Sequence, residues 1–216
     1  MATKSARDKI VDTALALAEQ RSWEAVRLHD VAAELGITLD GVRAHFREKE
    51  DIVDAWFDRA DRAMLEDAAK PDFLSLAPRG RLQRVIMAWL SALAPHRRPA
   101  RQMICNKFEP GHIHYQFSGL LRVSRTVQWM REAAHRDATL PWRAFEETTL
   151  TCVYLMTFFY WMRDGSEGSN RTATFLDQLL GRAERLAHAI PGCRKTPERT
   201  AKPAHPSAGS KAAPPA

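Results

Sequence analysis

The sequence predicts an all-α fold, and three observations carry that prediction. Apolar residues recur at three- and four-residue spacing almost everywhere between Ser5 and Ile190, as on one face of a helix. Period-two alternation bounded by turn residues, the pattern of a half-buried strand, is scarce. Prolines, glycines and an Asp-Gly-Ser cluster interrupt the periodic runs at helical lengths. With 216 residues the chain can bury a sizeable core, as one long domain or as a small domain joined to a larger one.

Each element follows from its own residues. Ser5, with Asp8 three residues on, is placed to cap a first helix that carries Ile10, Ala14, Leu17 and Ala18 on one face and ends near Arg21. Trp23, Val26, Leu28, Val31, Ala32 and Leu35 form a shorter apolar set closed by Gly36, a residue suited to the left-handed end of a helix. Thr38 caps a third short helix through Phe46, and a fourth begins near Glu48 and carries Ile52, Val53, Trp56, Phe57, Ala60 and Met64 until Pro71. Pro71 and Pro78 bracket a connector. Beyond it, helices are expected over Arg79–Ala94, Ala100–Phe108, Tyr115–His135, Trp142–Arg163 and Arg171–Ile190. The last carries Phe175, Leu176, Leu179, Leu180, Ala183, Leu186, Ala187 and Ile190 on one stripe, whereas Leu150–Met162 is apolar almost all round and must be enclosed. After Ile190 the composition collapses to Pro, Ala, Lys, Ser and Gly, which predicts a disordered tail. The domain reading is therefore residues 1–50, a connecting helix over about 48–70, a larger helical domain over 71–190 and a tail over 191–216.

The formal charge of +6 would suit a nucleic-acid partner, but much of it lies in the tail, where Arg194, Lys195, Arg199, Lys202 and Lys211 stand against Glu198 alone. Over residues 1–50 eight basic residues face nine acidic ones, so bulk charge does not establish DNA binding. Cys105, Cys152 and Cys193 are far apart and lack CxxC spacing, which points to a reducing compartment rather than a disulfide framework or a zinc site. The N-terminus, MATKSARDKI, turns charged at once, so secretion is not expected and a cytoplasmic protein is. The thirteen-residue run Leu150–Met162 falls short of the roughly 20 residues a membrane span needs.

Two short helices meeting at a Gly-centred turn have the geometry that sets a recognition helix in a DNA major groove. Val31, Ala32, Leu35, Ile37 and Val42 would make its internal contacts. The stretch RDKIVDTALALAEQRSWEAVRLHDVAAELGITLDGVRAHFREKEDIVDAWF resembles the N-terminal signature of TetR-family regulators, most specifically in AHFREKEDI, where His45, Phe46 and Lys49 match. The resemblance implies a TetR-like fold, an N-terminal three-helix helix-turn-helix domain and a larger ligand-binding and dimerisation domain. It implies a DNA-binding set of Arg27, His29, Thr38, Leu39, Asp40, Gly41, Arg43, Ala44, His45 and Lys49, with Lys49 donating to a phosphate. Arg43 stands where the family usually has a phosphate-contacting Tyr, and it can bind phosphate or read guanine. Arg27 replaces the usual Ser or Thr and by the same resemblance would be a phosphate donor. Asp40 would face a polyanion, tolerable beside a cytosine amino group or turned away. A three-helix bundle without nucleic-acid contact is the alternative for this segment.

By the same resemblance, Trp142–Arg163 and Arg171–Ile190 would pair with a second subunit, and the longer helices would enclose a small hydrophobic ligand. The alternative for Leu150–Met162 is a central core helix. Trp89, Met103, Phe117, Trp129, Tyr154, Phe158 and Trp161 are the candidate pocket residues, with plain core as the alternative for each. A second stretch, TLTCVYLMTFFYWMRDGSEGSNRTATFLDQLL, is similar to the C-terminal part of the ubiquinone-biosynthesis accessory family, lipid-binding proteins that share the TetR fold without being regulators. Tyr154, Trp161, Asp164, Ser166, Phe175, Leu176 and Asp177 carry that likeness.

No GxSxG, Walker loop or dinucleotide fingerprint occurs, so no catalytic residue and no cofactor is expected. His112 and His114 lack a nearby carboxylate pattern and read as a loop or helix start rather than a metal site. Glu146 and Glu147 read as a solvated helix face, and the basic run Arg97–Arg101 as a solvated loop, with an acidic lipid headgroup or a DNA backbone as its alternative partner. The leading expectation is a homodimeric, ligand-responsive TetR-type repressor on a double-stranded DNA operator. Its rival is a lipid or isoprenoid carrier of the same fold with no operator.

Overall fold

The computed structural model describes residues 4–107, 113–138, 140 and 142–189, with side chains at all of these but 105–107 and 113–121. The expectations for Cys105, His112, His114, Phe117, Cys193 and the tail lie outside what it describes. Nine α-helices and no strand occur among the described residues.

α1 (Ala6–Gln20) begins where Ser5 Oγ accepts the Asp8 N–H at 3.1 Å, and it buries Ile10, Val11, Ala14, Leu15, Leu17 and Ala18. α2 (Leu28–Leu35) starts at the Arg27 N–H, which donates to the Asp30 carboxylate. It ends at Gly36, φ +63°, where the N–H groups of Gly36 and Ile37 take up the Ala33 and Ala32 carbonyls at 3.1 and 3.0 Å. α3 (Leu39–Arg43) is capped by Thr38, whose Oγ1 accepts the Gly41 N–H at 3.1 Å. It stops short of the expected Phe46 because Asp51 already holds the next helix. The Asp51 carboxylate accepts the N–H groups of Arg47 and Glu48 at 2.8 and 3.2 Å, which fixes the start of α4 (Lys49–Ala68) and turns Phe46 into the core.

α4 joins the two parts of the molecule. It packs on α1, to which Arg59 ties it through Asp8 at 3.1 Å, and along α5 (Pro78–Leu93), where Pro78 sits at the first helical position and its missing N–H is no loss. α6 (Arg97–Lys107), α7 (Ile113–Ala133), α8 (Trp142–Trp161) and α9 (Asn170–Ala189) complete the larger part, with α9 against α5 and α8. No helix among the described residues is long and apolar enough to cross a membrane.

Two surface expectations are corrected. The run Arg97–Arg101 is the first turn of α6, not a solvated loop, because its guanidinium groups find carbonyls that helix ends leave unpaired. Arg97 donates to the Asp164 carbonyl and Arg101 to that of Met162 at 2.6 Å, both just past α8, while Arg98 donates to Glu19 near the end of α1 at 3.2 Å. Pro99 fits there because the first turn does not need its N–H. Glu146 is likewise no solvated side chain: it accepts from Arg136 and lies 3.7 Å from the buried Arg131. Glu147 does lie at the surface, accepting from Gln128 at 3.3 Å.

Candidate nucleic-acid interface

The face that α2, the turn and α3 present to solvent is built on a small buried set. Val31, Ala32, Val42 and Phe46 are all but inaccessible, and they hold the two helices so that Thr38, Leu39, Asp40, Arg43, Ala44 and His45 point outward. Leu39 is 52% exposed, an apolar side chain with no core to serve. Arg43 Nε donates to Asp40 Oδ1 at 3.2 Å, an i,i+3 pair on the outer face of α3. His29 is exposed on α2, 3.6 Å from Asp30. Gly41 serves through its N–H, as the donor to Thr38.

Two of the expected phosphate donors are engaged elsewhere. The Arg27 guanidinium, although exposed, donates to the Glu24 carbonyl. Lys49 is half-buried: its ammonium donates to the carbonyls of Trp23 and Glu24 and sits 4.5 Å above the Trp23 ring. Burial, with the nearby Arg27, pushes its pKa down. Trp23 is tied in turn to the larger part of the molecule, its backbone N–H donating to Gln102 Oε1 of α6 at 2.7 Å. Sequence reasoning missed Gln102, which is 79 positions from Trp23 and belongs to no local pattern.

In the larger part, Trp89 of α5 and Tyr154, Phe158 and Trp161 of α8 form one aromatic cluster. Trp89 meets Tyr154 and Phe158 edge-on at 5.3 and 5.7 Å, and Phe158 stacks on Trp161 at 5.8 Å. Phe57 of α4, absent from the expected set, stacks on Trp89 at 5.7 Å. Met103 is buried on α6. Trp129 is not in this cluster: it lies 48% exposed on α7. Also unforeseen is a buried polar network at the cluster's edge. Asp61 accepts from Trp89 Nε1 at 2.7 Å, Thr126 at 3.2 Å and Arg122 at 3.2 Å, and Arg122 reaches Asp58 at 2.7 Å. Burial pushes the Asp61 carboxyl up in pKa against the pull of Arg122, and burial raises the Tyr154 phenol as well.

The loop from α8 to α9 is organised by Asp164. Its carboxylate accepts the N–H groups of Ser166 and Thr172 at 2.8 and 2.9 Å and the Thr172 hydroxyl at 2.6 Å. Burial would raise its pKa, but the bonds from Thr172 and Ser166 outweigh that and hold it well below the usual carboxylate range. Arg97 lies 4.6 Å over the Trp161 ring, Phe175 stacks on Tyr160 at 4.4 Å, and Asp177 pairs with Arg79 at 2.7 Å.

A solved structure described as the TetR transcriptional regulator from Nitrosomonas europaea ATCC 19718 is 54% identical to this chain, covers 83% of it and 98% of its own length, and superposes with a TM-score of 0.75. The chain belongs to the TetR family. The family model for bacterial regulatory proteins, tetR family, matches residues 10–56, from α1 into α4. More distant TetR regulators share the fold. One from Rhodococcus sp. RHA1 is 17% identical with a TM-score of 0.62, covering 82% of this chain and 94% of its own. One from Streptomyces coelicolor is 20% identical with a TM-score of 0.59, covering 88% and 83%. A second family model, described as COQ9, matches residues 147–187 of this TetR-family chain, from within α8 through the following loop into α9. No curated protein matches the chain.

Proposed function

We propose that this TetR-family chain is a homodimeric cytoplasmic repressor that binds a double-stranded DNA operator through α2 and α3 and responds to a small hydrophobic ligand in its larger domain. One observation carries the reading: a capped recognition helix holds Thr38, Leu39, Asp40, Arg43, Ala44 and His45 outward over a closed apolar base, in a chain 54% identical to a TetR regulator. Arg43 and His29 meet the duplex directly. Lys49 holds the α1–α2 loop against α4 through the Trp23 and Glu24 carbonyls, so it reaches a phosphate only by loosening that tie, whereas Arg27 bonds within the loop through one terminal nitrogen and keeps N–H groups for a phosphate.

The dimer is supported by α8, whose outer side exposes Cys152, Met156 and Tyr160 while its inner side is core. The ligand would lie against the aromatic cluster of Trp89, Tyr154, Phe158 and Trp161, and a ligand that favours a wider spacing of the two reading heads would release the operator. A family of regulators acts by binding, and we assign the chain no catalysis.

The test is retention of a random duplex pool by the purified protein at two salt concentrations. An enriched palindrome with steep salt dependence is expected, since released counterions accompany each phosphate contact. A second reading, a lipid carrier without an operator, is favoured by the COQ9 match over residues 147–187. It predicts no enriched sequence and a lipid recovered by organic extraction.

A further inference from the structure

We propose that Asp40 is the positioning residue for Arg43, and that the pair reads a G·C base pair; this rests on the operator-binding reading above. Asp40 is the residue of α3 that a polyanion should reject; its place in the first turn suits the helix dipole, but that place does not call for its bond to Arg43. Its side chain is 84% exposed, and that of Arg43 is 78% exposed. The cap of α3 is made by Thr38 and its buried anchor by Val42, so the helix stands without the pair. What Asp40 does is accept from Arg43 Nε at 3.2 Å.

A guanidinium is planar, so a bond at Nε fixes the plane of the fork and directs its two terminal amino groups away from the carboxylate. Two parallel donors on a fixed plane match guanine O6 and N7, the commonest specific contact in the major groove. The second Asp40 oxygen is an acceptor, the group that suits a cytosine N4 amino and no phosphate. In water such an exposed pair is weak, but between the walls of a groove water is excluded and the attraction strengthens. The same carboxylate that lowers non-specific affinity thereby sharpens sequence choice.

The experiment repeats the random-duplex selection with wild type, Asp40→Ala, Arg43→Ala and the double variant, followed by titration of the enriched duplex with each base pair changed in turn. The expected result is a G·C pair whose replacement weakens wild-type binding by about tenfold or more, a preference lost together in both single variants and not lost further in the double one. Asp40→Ala should bind unselected duplex more tightly than wild type, a gain that a merely structural residue would not give. Unchanged base preferences in Asp40→Ala, or losses at different base pairs in the two single variants, would overturn the pairing while leaving operator binding intact. No enriched sequence with wild type would overturn the operator reading and this inference with it.

Discussion

Asp164 gives the loop between α8 and α9 its shape through bonds to Ser166 and Thr172, and its depressed pKa makes that a pH-dependent contribution. A carboxylate whose folded pKa lies below the ordinary value of about 3.9 stabilises fully above that value and loses its contribution as the pH falls toward the folded pKa. Asp164→Ala should therefore lower stability near neutrality by about 2 kcal/mol, and the gap to wild type should narrow by about pH 3, as read by urea unfolding at both pH values. Gly36 makes a second prediction. A Cβ there would meet nothing within 4 Å, so the cost of Gly36→Ala is conformational alone, about 1 kcal/mol, and Gly36→Asn should cost less. At this scale the sequence was most legible where chemistry is local: the caps at Ser5 and Thr38 and the left-handed end at Gly36 stand where side-chain type places them. Lys49 was not legible in the same way. Its position at the start of α4 suggests a phosphate donor, while its partners, the Trp23 and Glu24 carbonyls, come from a loop that no spacing rule connects to it.

Helices were found by their periodicity, but which way a helix faces was not always written in it. Leu150–Met162 is apolar almost all round, and the structure divides it: Val153, Tyr154, Phe158 and Trp161 enter the core while Cys152, Met156 and Tyr160 face out. If that outer side is a subunit contact, Met156→Glu buries a charge in it and should raise the dimer dissociation constant at least about a hundredfold, visible as monomer in sedimentation. An unchanged oligomer would remove α8 from the interface. The tie between α4 and α7 is of another kind, since no sequence pattern marks Arg122 as the partner of Asp58 and Asp61, which are more than 60 positions away. Arg122→Met leaves Asp61 buried without its cation and should cost about 3–5 kcal/mol. Adding Asp61→Asn should recover part of that loss, measured as a double-mutant cycle in denaturant.

Across the whole molecule, the small N-terminal part is joined to the larger one by more than α4. Gln102 and Arg98 of α6 bond Trp23 and Glu19, and His96 lies 3.4 Å from Glu19, so the end of α1 and the loop before α2 rest on the larger part. These contacts were invisible in sequence because each joins residues about 80 apart. The all-helical class and the TetR-like likeness were legible because both live in short windows. Which function the chain performs is carried by two windows that point different ways, residues 10–56 toward a regulator and residues 147–187 toward the COQ9 family.

The most direct test of the regulator account is amide hydrogen exchange of the full chain with and without the duplex that the protein retains from a random pool. Slowed exchange confined to α2, α3 and the start of α4, steeply reduced as salt is raised, is the result the account predicts. Unaltered exchange over residues 27–49 at saturating duplex, or protection only in α8 and α9, would contradict it.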